Sequence, residues 1–147
     1  MTRTVERFRK VDVLVNTAGR GMKDVSPEFL TEPTHFWETG PEVWKMLVDT
    51  SVNVPFFMAR ALVPGMLEAG GGSLVNVSIN YEPMKRRGFS PYGLLKAALE
   101  SESIVYAQDL EGTGVRLNGL LPGGATETGM LPSGLFEEVT SRLHTLQ

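Results

Sequence analysis

The sequence contains no cysteine, which rules out disulfide staples, thiolate metal sites and thiol nucleophiles together. It has two histidines, His35 and His144, far apart and flanked by no carboxylate pattern, so no metal site is expected. Basic residues are the minority charge: 14 Lys and Arg against 17 Asp and Glu give a net charge of -3 and a pI near 5.4. That balance argues against nucleic acid as the main partner, because phosphate binding calls for clustered cations. No apolar run long enough to cross a bilayer stands out, and the opening MTRTVERFRK lacks the apolar centre of a secretory signal. A cytoplasmic location without membrane contact is therefore expected. There is no Gly-x-Ser-x-Gly elbow and no histidine placed to serve a serine, which disfavours a hydrolase. Internal repeats and low-complexity tracts are absent too.

What is present is an ordinary globular composition, 41% hydrophobic and 21% charged over 147 residues, which fits a single domain spanning 1–147. Three runs rich in branched aliphatics, VDVLVN at 11–16, SLVNVSI at 73–79 and VRLNGLL at 115–121, carry the strand signal. Each is nearly apolar throughout, the pattern of parallel strands covered on both faces. Helical stretches lie between them. One runs over 41–69, with Pro41 in its first turn and a glycine stop; the other runs over 90–110, with Ser90 as N-cap, Pro91 next and Gly112 beyond its end. This alternation predicts an α/β fold: a Rossmann-like, three-layer parallel sheet with flanking helices, partial at about three strands. Pro55 lies inside the first helix and supplies no N–H to the carbonyl of Ser51, so a kink is expected near Asn53.

In open parallel sheets, ligands bind beyond the carboxyl ends of the strands. Here those ends carry NTAGRG, SINYE and PGGATETG, all polar and rich in small residues. Close by, SPYGLLKAALE places Tyr92 and Lys96 one turn apart on one helix face. A phenol with an ordinary pKa of about 10 needs help to exchange protons near neutral pH. An ammonium about 4 Å away, at an effective dielectric of about 20, offers roughly 4 kcal/mol, or about three pKa units at most. The spacing alone is also what surface decoration would give. The basic cluster Lys85, Arg86 and Arg87 reads first as a solvated loop; its nearness to the site leaves open a contact with an anionic substrate or a cofactor phosphate.

Five stretches in order give this sequence its company. VDVLVNTAG resembles the fourth strand and Asn-Asn-Ala-Gly motif of the short-chain dehydrogenases/reductases, with Thr17 in the second asparagine's place. WKMLVDTSVNVPFFMARALVPGM is similar to that family's helix carrying an active-site asparagine, here Asn53. GGGSLVNVSI resembles the fifth strand leading to the catalytic serine, YGLLKAALE the Tyr-x-x-x-Lys helix, and GVRLNGLLPGGATETGM the sixth strand with its Pro-Gly turn. The resemblance runs from about residue 5 to residue 131. It implies an oxidoreductase that uses NAD or NADP on a small carbonyl or secondary alcohol, with Tyr92 as general acid/base. Lys96 would bind the nicotinamide ribose and lower the tyrosine's pKa, and Asn53 would hold a water in a proton relay. Asn16, Ala18 and Gly19 would line the adenosine side and brace the sheet, while Pro122, Gly123 and Thr126 or Thr128 would bound the nicotinamide pocket.

The sequence departs from the family pattern in three places. The serine usually lies thirteen residues before the tyrosine, where Ile79 stands; Ser78 is one residue early and on a strand faces the other way. A bulge that brings in Ser78 or Asn80 is one expectation, and loss of one donor to the substrate carbonyl is the other. Glu127 stands between Thr126 and Thr128 where the family has threonine. The glycine-rich turn that receives the pyrophosphate is also missing, so the resemblance implies a chain truncated at both ends. VDVLVN would then be an apolar edge strand, and a homo-oligomer through helices 41–69 and 90–110 is expected to cover part of the exposed surface. The alternative is a truncated pseudoenzyme that binds no dinucleotide and acts, if at all, through oligomerisation.

Overall fold

The computed structural model describes residues 2–122. Three strands, Val13–Asn16 (β1), Gly72–Val77 (β2) and Val115–Leu120 (β3), pair in parallel in the order β1-β2-β3. Each is a little shorter than its apolar run. Register follows the apolar pattern: Leu14 aligns with Leu74, and Leu74 with Leu117. A one-residue slip would turn this leucine row to the other face.

The crossover from β1 to β2 is helical. It comprises Pro41–Val48 (α2), a π-helical turn at Asp49–Asn53, and Val54–Glu68 (α3). The expected kink thus takes the form of a π-bulge, in which the Val54 N–H reaches back to the Asp49 carbonyl. Pro55, with no N–H of its own, lies just beyond it. Leu47, Ser51, Pro55, Ala59, Leu62 and Met66 are buried along this stretch, a helical stripe at spacings of three and four. Ala59, Leu62 and Met66 pack on Leu14, Leu74, Val115 and Leu117 to form the core. Pro41–Glu68 is long and apolar enough, by length and composition, to cross a membrane, a run the sequence reading did not single out. In this fold its buried stripe is the cover of the sheet.

From β2 the chain passes through a short helix, Tyr81–Met84 (α4), to Tyr92–Asp109 (α5), and then to β3. The cap of α5 is Pro91 rather than Ser90, with no side-chain cap bond. After the helix, Gly112 takes a φ of 75°, the left-handed conformation that favours glycine. Tyr106 and Ala107 of α5 pack on the same core as α3. Coverage of both strand faces was expected, yet among the described residues β1 leaves Val13 56% and Val15 50% exposed, while α3 and α5 cover the leucine face.

One carboxylate of α5 is poorly placed. Glu102 has a buried oxygen without a hydrogen-bond partner, and burial raises its pKa against a smaller opposing hydrogen bond with Tyr106. The fold therefore holds this proton to a higher pH than the unfolded chain does. As pH rises through the unfolded carboxylate's range and then the higher folded one, the unfolded chain ionises first and stability falls. Glu102→Gln is expected to be more stable than the parent above that window by about 1 kcal/mol, or about 4 °C in Tm. The difference should vanish in acid, as thermal melts across pH would show.

Candidate active site

The first turn of α5 lies against the carboxyl end of β2. Lys96 is only 9% exposed, and its Nζ donates to the Val77 carbonyl at 2.6 Å. That same Nζ lies over the Tyr92 ring, 5.7 Å from its centroid. The tyrosine and lysine are therefore on one face, as their spacing predicts, with the last residue of β2 as the lysine's anchor. Gly93 makes this placement possible. A Cβ on it would come within 1.9 Å of the Met84 carbonyl oxygen, so α4 and the start of α5 approach as closely as only glycine permits.

The electrostatics differ from the sequence expectation. Burial raises the Tyr92 phenol above its ordinary value, and burial lowers Lys96 below its own. Desolvation outweighs the lysine's field because both side chains are largely withdrawn from water, while the ammonium is drawn to Val77. The site thus holds a phenol that keeps its proton and a lysine that gives up its charge more readily than usual.

Ser78 is buried and donates its hydroxyl to Glu100 at 2.8 Å. Its hydroxyl is thus engaged with α5. Asn80 is exposed and begins α4 as its cap residue. Ile79, between them, is half-buried.

Asn53 lies in the π-bulge, and its amide nitrogen donates to Asp49 at 2.8 Å. Asp49 also takes a bond from Lys45, and these two donors hold its carboxyl below the usual range. The Asn53 side chain is therefore engaged along its own helix. Asn16 does brace the sheet: it donates to Asn76 at 2.7 Å, Asn76 donates to Ser103 at 2.9 Å, and Ser103 donates to the Leu99 carbonyl at 2.7 Å. This chain ties β1, β2 and α5 together. Ala18 and Gly19 are exposed just past β1, and Pro122 is half-buried past β3. Gly123, Thr126 and Thr128 lie outside the described residues.

These features fit the ribose and nicotinamide end of a dinucleotide. Lys96 has three donors and directs one to Val77, which leaves two for a vicinal diol. The small, exposed residues Ala18 and Gly19 leave the end of β1 open. Sequence reasoning missed Glu100, although its position one turn beyond Lys96 on the same face was the available signal. It also missed Gly93, whose occurrence inside a helix signals close backbone approach.

Comparisons with known proteins agree with this arrangement. A family model described as short chain dehydrogenase matches residues 1–135. The chain is 33% identical over 123 residues to the NADP-dependent 3-hydroxy acid dehydrogenase YdfG of Salmonella typhi, a match covering 82% of this chain and 46% of that protein. It is 35% identical over 113 residues to the human dehydrogenase/reductase SDR family member 4, covering 77% of this chain and 37% of that one. Among solved structures, a short-chain dehydrogenase from Streptomyces avermitilis superposes with a TM-score of 0.71 at 30% identity, over 99% of this chain and 54% of its own. The chain thus spans about half the length of the curated relatives it matches. On the family match and these relatives together, the chain belongs to the short-chain dehydrogenase family.

Proposed function

We propose that this chain performs the proton-transfer part of an NAD(P)-dependent oxidoreductase reaction between a carbonyl and a secondary alcohol. The observation that carries this reading is Tyr92 on the same face as Lys96, with the lysine anchored at the end of β2. The nicotinamide cofactor supplies the hydride when bound. Tyr92 holds a proton on its hydroxyl and gives it to the carbonyl oxygen in reduction, or takes it back in oxidation. Burial keeps that proton in place near neutral pH. Lys96, fixed by Val77, orients the ribose hydroxyls. NADP is the first cofactor to test, because a relative's name specifies it; the same name specifies a 3-hydroxy acid as that protein's substrate class.

The test is a fluorescence titration of NADPH with the purified chain. A saturable emission change, competed by NADP, is the expected result. An unchanged emission would leave the pseudoenzyme reading in possession.

Oligomerisation belongs to the same proposal. Phe56 and Phe57 on α3 and Ile104 and Val105 on α5 are exposed apolar side chains, and such faces call for cover. Sedimentation is expected to give a dimer or larger, and Ile104→Lys to shift it toward monomer. A monomer at all concentrations would contradict the assignment.

A further inference from the structure

A pocket of about 360 Å³, lined by neither Tyr92 nor Lys96, lies between residues 33–36 and residues 84–90 with Leu94. That is within the size range of small-ligand sites. Its walls are of two kinds. Phe36, Phe89 and Leu94 give an apolar side, and Lys85, Arg86 and Arg87 a cationic one. No carboxylate lines it among the described residues.

The cations lack the partners expected of a merely solvated loop in an acidic chain. Among the described residues, none of the three has an ion pair. They rest on rings instead: the Lys85 ammonium lies 3.6 Å from the centroid of Tyr81, and the Arg86 guanidinium 5.4 Å from that of Phe89. Stacking of this kind orients a cation without neutralising it. Of the two acids that flank the opposite wall in sequence, Glu38 is taken by His35, which it meets through both backbone and ring, and Glu32, next to Pro33, is not part of the lining. Among the described residues, three consecutive positive charges thus face a cavity without an ion-pair partner, in a chain whose net charge is -3.

We propose that this pocket is a binding site for an organic anion with an apolar body, such as an acyl or aryl carboxylate. Arg86 and Arg87 grip the anionic end, and Phe36, Phe89 and Leu94 receive the apolar part. An arginine fork matches a carboxylate in geometry as well as charge. The site is a second one, separate from the proton-transfer face. Leu94 follows Tyr92 by two residues, about 200° round the helix, so the wall it forms is turned away from the phenol.

Calorimetric titration with octanoate and octan-1-ol, matched in apolar length and differing in charge, tests this. Octanoate is expected to bind at least about tenfold more tightly than the alcohol, and Arg86→Gln/Arg87→Gln to abolish that advantage. Both substitutions are at exposed side chains, and a circular dichroism melt checks the fold. Leu94→Ser is expected to weaken octanoate while leaving inorganic phosphate unaffected. Tyr92→Phe should leave octanoate affinity unchanged, which separates this site from the proposed chemistry. Equal affinity for acid and alcohol, no binding of either, or an advantage that survives the double substitution would each overturn the proposal.

Discussion

Tyr92→Phe is expected to lower kcat for carbonyl reduction by about 10²- to 10⁴-fold, the usual share of a positioned general acid. The substitution removes one oxygen and leaves the ring over which the Lys96 ammonium lies. Cofactor affinity and fold should therefore stay close to those of the parent, and the loss should appear in kcat rather than KM. The pH dependence is a second readout. Because burial raises the phenol's pKa above 10.0, the proton is present throughout neutral pH, and in the free chain it is lost only above that value. The rate of reduction is expected to be flat across the neutral range and to fall in strong alkali. Lys96 moves the opposite way, losing its charge below the ordinary 10.5 because burial disfavours the ammonium. A profile that falls already below neutral would point to another acid.

Gly93→Ala is expected to damage both stability and turnover. On intrinsic propensity alone, alanine inside a helix is better than glycine by about 1 kcal/mol. Here the added Cβ would lie 1.9 Å from the Met84 carbonyl oxygen and 2.9 Å from its carbon. Both are backbone atoms, so no side-chain rotation relieves the clash, and α4 or the first turn of α5 must move. Overpacking of this kind costs about 1 to 3 kcal/mol, which reverses the sign given by propensity. Tyr92 is the adjacent residue, and a displacement of about 1 Å at a reacting group costs about 10²-fold in rate. Thermal melts and kcat, measured on the same preparation, check this. A variant as stable and active as the parent would show that the close approach of α4 to α5 is not maintained in solution.

Much of the sheet could be read from the sequence, because VDVLVN, SLVNVSI and VRLNGLL are apolar enough to be strands whatever surrounds them. The alternation with helices fixed their parallel sense. The π-bulge was legible as a kink, since Pro55 removes one donor and the helix has to accommodate that loss locally. The Tyr92 and Lys96 pair was legible because helical periodicity alone puts them on one face. The direction of the phenol's shift was not. A spacing argument counts the neighbouring charge but not the water that packing removes, and at Tyr92 desolvation is the larger effect. The partners of Ser78 and Asn53, which are Glu100 and Asp49, were hidden for a related reason: only the folded arrangement or the local helix phase reveals them. The cationic loop at 85–87 read as solvated decoration because its missing counter-ions are a property of the pocket, which sequence does not display.

The account stands most directly on whether the phenol of Tyr92 transfers the proton. The decisive measurement is a single-turnover absorbance trace: the purified chain is loaded with NADPH and mixed with a ketone, alongside Tyr92→Phe loaded to the same occupancy. The account expects a first-order loss of NADPH in the parent and a rate lower by at least about 10²-fold in the variant. Equal rates in the two, or NADPH that is bound yet stays unoxidised in both, would contradict it.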